Sequence, residues 1–88
     1  MQNGLRRPEV PKQYWERALE IVASLRREGL NAEADLVNEA VTAAATGTEL
    51  IIGVRWHLQQ SGAVDKTIDR DTRRAIVSLL EDIDIELR

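Results

Sequence analysis

Apolar residues return every three or four positions along this 88-residue chain, in four successive blocks, and each block carries its own start or stop signal. A chain patterned in this way can bury its hydrophobic surface only as helices packed on one another. The sequence predicts an all-α fold, a compact bundle of about four helices with short connections, over roughly 11–28, 32–46, 48–61 and 68–87. Residues 1–10 are expected to form an extended basic arm and 11–88 a single helical domain.

In the first block Pro11 suits an opening helical turn, where its missing N–H would have had no partner. Tyr14, Trp15, Ala18, Leu19, Ile21, Val22 and Leu25 share one arc, and Gly29 with Leu30 has the form of a Schellman stop. Asn31 is expected to cap the second helix, whose inner face reads Ala34, Leu36, Val37, Ala40, Val41 and Ala44. Thr46 and Glu49 fit capping-box spacing, while Gly47 ending one helix and Thr48 capping the next is an alternative. Gly62 closes the third helix. Thr67 or Asp69 caps the fourth, with a stripe of Ile68, Thr72, Ala75, Ile76, Leu79, Leu80, Ile83 and Leu87.

Composition narrows the function classes. At 43% hydrophobic and 31% charged the chain is globular in type, large enough for one small core. It has no Cys, so thiolate chemistry and zinc–cysteine sites are excluded, and no apolar run approaches the ~20 residues of a membrane span. The basic, proline-bearing start lacks the apolar segment of a secretory signal, and a cytoplasmic location is expected. A net charge of −3 and a pI near 5.1 favour basic partners over phosphate backbones.

No catalytic constellation emerges. His57 is the only histidine, with Val54 where a di-iron bundle needs Glu and no second His at zinc-protease spacing. Its ring is expected to bond solvent or a carbonyl at the edge of the core. Ser24, Ser61 and Ser78 lack nucleophile-elbow glycines, and Gly47 and Gly53 lack a P-loop lysine. No enzyme activity, metal or cofactor is expected. Ala43 and Gly47 have helix-turn-helix spacing, yet Arg55 is the only cation of the helix that would read DNA.

Two features point to protein contacts. The third helix has a second apolar pair, Ile52 and Trp56, opposite its main stripe, and a mid-helix Gly53 that suggests close approach of another helix. These three are the expected self-association residues of a homodimer, if the bundle does not cover them itself. The fourth helix places Arg70, Arg73 and Arg74 first and Glu81, Asp82, Asp84 and Glu86 last, against the helix dipole. Ile85 projects outward among those acids. Glu81, Asp82, Asp84, Ile85 and Glu86 are therefore the expected partner-binding residues, unless the chain's own basic arm covers the acids. The reading is a small acidic interaction module for a basic protein, of which an immunity-type inhibitor or antitoxin is one form by analogy of size and charge. The alternative is a homodimeric regulator touching nucleic acid through the arm or a degenerate helix-turn-helix.

Overall fold

A computed structural model describes residues 11–61 and 68–88. It contains α1 (Gln13–Arg27), α2 (Asn31–Ala43), α3 (Gly47–Ser61) and α4 (Arg70–Glu86), and the described residues include no strand. The predicted arm, the Gly62 stop and the Thr67 cap lie outside the described residues.

The helices form a bundle in which α1 and α3 each pack against both α2 and α4. Every helix contributes to one core, built on Ile21 and Leu25 of α1, Ala34 and Val37 of α2, Leu50, Val54 and Leu58 of α3, and Ile76, Leu79 and Ile83 of α4. Each set follows the 3.6-residue period, which is why the apolar stripes were legible as helices. Eight expected inward residues are not fully buried. Leu19 and Ala75 are exposed, and Trp15, Leu36, Ala44, Ile68, Leu80 and Leu87 are half-buried. Leu19 sits ~100° around the helix from Ala18, enough to carry it out of the stripe that a broad arc seemed to include.

The turns are made by backbone chemistry more than by side-chain caps. At the end of α1, Gly29 takes φ +80°. The Leu30 N–H then donates to the Leu25 carbonyl at 2.9 Å and the Gly29 N–H to the Arg26 carbonyl at 3.0 Å, the paired bonds of a Schellman motif. Asn31 is not the cap of α2. The helix begins one residue early, because the Leu30 carbonyl already accepts from Ala34 N–H at 2.9 Å, and no side chain caps it. α2 stops when Ala44 turns extended, with ψ 126°. Thr46 then caps α3 through Oγ1, which accepts from Glu49 N–H at 3.1 Å. Glu49 answers one residue further back than the standard box, accepting from Ala45 N–H at 2.8 Å. Thr48 is not used as a cap.

The start of α4 is fixed from another helix. Asp69 makes no side-chain cap. Instead Glu28, just beyond α1, accepts from Asp69 N–H at 2.8 Å and from the buried Thr72 hydroxyl at 2.6 Å. Those bonds, the Thr72 hydroxyl first and the Asp69 N–H second in influence, hold the Glu28 carboxyl below its ordinary range. At the opposite end of the same helix pair, Tyr14 Oη donates to the Asp82 carbonyl at 3.2 Å. α1 and α4 are thus antiparallel and clasped at both ends.

Candidate interaction surface

The acidic end of α4 is partly neutralised from inside the chain. Arg17 of α1 donates to Asp82 Oδ2 at 2.9 Å and to Ser78 Oγ at 3.2 Å, with its guanidinium 5.7 Å from the centre of the Tyr14 ring. Burial, and then the negative charges of Glu86 and Asp82, push the Tyr14 phenol above its ordinary value. Arg55 of α3 donates to Asp84 Oδ1 at 2.9 Å. Two of the four expected acids therefore have arginine partners on α1 and α3, rather than on the arm that the sequence suggested. Glu81 and Glu86 remain exposed, and Ile85 points outward with 62% of its surface free.

The Arg55–Asp84 pair does more than balance charge. It ties α3 to α4 at the level where both carry outward apolar residues. Ile52 and Trp56, flanking Arg55 on α3, are 48% and 56% exposed, and Ile85 follows Asp84 on α4. The bundle leaves the second face of α3 uncovered. The two groups of residues singled out in the sequence, one on each helix, thus stand on either side of one salt bridge. Only the fold could show this, because Arg55 and Asp84 are 29 residues apart.

Gly53 answers a different need. A Cβ placed on it would lie 3.2 Å from Ala40 Cβ, so the close approach it permits is between α3 and α2 of the same chain. Beside that contact runs an open groove of about 370 Å³, lined by Glu39, Ala40, Ala43 and Ala44 from the α2 side and Glu49, Gly53 and His57 from α3. Sequence reasoning missed the groove. Gly53 and Ala40 were each visible as a small residue, but the register that brings them together was not.

His57 lies half-buried at the edge of the core, and no described group hydrogen-bonds its buried Nδ1. Its ring instead meets Trp56 edge-on, with centroids 5.1 Å apart and planes at 88°. Among the described residues no group of His, Asp and Glu side chains is placed to hold a metal ion, and no described helix is long and apolar enough to cross a membrane.

Chemically, this surface offers apolar area and exposed carboxylates, which suit non-covalent recognition. No family model matches the chain, and no curated protein or solved structure matches it either.

Proposed function

We propose that the chain is a small acidic interaction module whose α3/α4 face binds a basic protein. The observation that carries this reading is the placement of Ile52, Trp56 and Ile85 around the Arg55–Asp84 bridge, with Glu81 and Glu86 exposed beyond it. Apolar residues in a charged surround have the layout of an interface with a desolvated centre and a polar rim. The net charge of −3 makes a basic partner the electrostatic match and speeds its encounter. Blocking such a partner, as an inhibitor or antitoxin does, is the simplest use for an interaction module of this size.

The helix-turn-helix form of the nucleic-acid alternative draws less support. Arg55, the only Lys or Arg of α3, is committed to Asp84, and α2 carries neither. The helix that would enter a groove therefore offers phosphates no free cation.

The test compares capture from the native host by the wild-type chain and by variants. A partner retained by wild type should dissociate faster from Ile85→Asp and associate more slowly with Glu81→Lys/Glu86→Lys. All these side chains are exposed, so circular dichroism of the variants should match wild type. A partner held equally by all of them would refute this surface.

A further inference from the structure

We propose that the groove between α2 and α3 seats a basic amphipathic helix supplied by the partner protein. The proposal rests on the reading of the chain as an interaction module and adds to it a second contact region and the chemistry of what fills it.

The floor of the groove is at backbone level. Ala40 and Gly53 meet there so closely that one added methyl at position 53 would lie 3.2 Å from the methyl of Ala40. Small residues let an incoming helix settle near the backbones, as they do wherever helices pack closely, and Ala43 and Ala44 extend the same small apolar lining. The rim is acidic. Glu39 and Glu49 both border the groove and both are exposed. α2 has no Lys or Arg, and the one Arg of α3 is turned to Asp84 on the far side.

His57 supplies the third element. Its ring borders the groove from the α3 side. The edge-on contact of His57 with the exposed Trp56 continues the groove wall into the apolar face of α3.

Charge selects the occupant. A second copy of this chain docked symmetrically on α3 would bring Glu39 and Glu49 towards the same two acids of its mate, with no free cation on α2 or α3 to separate them. A helix with lysines on its flanks and aliphatic residues on its inner face meets the acids, the small floor and Trp56 together.

The probe is a capped Leu/Lys amphipathic peptide of about 18 residues, five helical turns, added to the full chain with amide chemical shifts as readout. The expected result is saturable shift changes centred on Ala40, Ala43, Gly53 and His57. The affinity should fall on the order of tenfold with Ala43→Arg or Glu39→Lys, and fall again with added salt, since these contacts are electrostatic at a surface. A Leu/Glu peptide of the same pattern should leave the spectrum unchanged. Both substitutions are at exposed positions, and their own spectra report whether the fold is kept. Peptide shifts absent, confined to the neighbourhood of Ile85, or indifferent to Ala43→Arg would overturn the proposal. So would sedimentation showing a dimer whose formation broadens the groove amides. If the groove is silent while a captured partner is still released by Ile85→Asp, the groove assignment fails and the α3/α4 interaction surface stands. If neither responds, both fail.

Discussion

Replacing Gly53 with Ala sets two effects of known size against each other. A mid-helix glycine costs about 1 kcal/mol relative to alanine, so an unobstructed Gly53→Ala would stabilise the protein by that amount. The new Cβ, however, would stand 3.2 Å from Ala40 Cβ. Reaching ordinary carbon–carbon contact requires the two helices to part by about 0.5 Å. Ala40 cannot retreat alone, because its helix also carries Val37 and Val41 into the core. Overpacking of this kind costs about 1–3 kcal/mol, and the expected balance is a net loss near 1 kcal/mol. Ala40→Gly removes the obstruction, leaving Ala40 Cα at an ordinary 3.9 Å. In that background Gly53→Ala should gain about 1 kcal/mol, giving a coupling of about 2 kcal/mol between two residues in direct contact. Urea unfolding followed by circular dichroism reads this clearly, since with a slope of about 1 kcal/mol/M each kcal/mol moves the midpoint by about 1 M. If Gly53→Ala raises the midpoint equally in both backgrounds, the glycine is not there for the α2 contact and the reasoning is wrong.

Further tests address the core and the two clasps. Ile76→Ala, at a fully buried position, should cost about 2–5 kcal/mol by urea unfolding, and Leu80→Ala distinctly less because Leu80 is only half-buried. The Glu28 carboxyl is held below its ordinary 4.5 by Thr72 and the Asp69 N–H. A lowered folded-state value means stability that is present above 4.5 and lost as pH falls through the folded value. The stability gap between wild type and Glu28→Ala should therefore be widest near neutrality and close in acid; a gap that ignores pH would dismiss the clasp. Tyr14 has the opposite sign: its phenol is raised above 10.0, so its contribution is complete below that pH and disappears in stronger alkali. Ultraviolet titration of this sole tyrosine should show a midpoint above 10.0, returning towards it in urea. Sedimentation of an Ile52→Ser/Trp56→Ser variant at high micromolar concentration should show a monomer, because it lacks the exposed apolar pair and the α2/α3 face brings like charges together in a symmetric pair; a stable dimer would contradict this.

What the sequence made legible is what neighbouring residues decide among themselves. Gly29 with Leu30 identifies the Schellman turn, and Thr46 with Glu49 the start of α3, because their partners lie within five residues. The stripe of Leu50, Ile51, Val54 and Leu58 follows from helical period alone. Long-range partners were not legible. Asp69 resembles a cap, yet the bonds at the start of α4 come from Glu28, 41 residues earlier. Asp82 and Asp84 looked like free acids until Arg17 and Arg55 were placed beside them. The exposure of Ile52 and Trp56 is of the same kind, since a helix with two apolar faces does not say which one its neighbours cover.

The Glu28 clasp also bears on the order in which the chain assembles. α1 meets α2, and α2 meets α3, across three residues each, whereas Glu28 reaches Asp69 and Thr72, 41 and 44 positions further along, only after the chain between has been drawn into a closed loop. Closing that loop is entropically costly before its contacts form, so the first three helices are expected to associate early and α4 to dock last. Docking of α4 is also what places Asp84 beside Arg55. A nascent or partly opened chain would hence display the α2/α3 groove before the composite α3/α4 surface exists, and a partner that engages both would capture the bundle in two steps, latching it shut as α4 arrives.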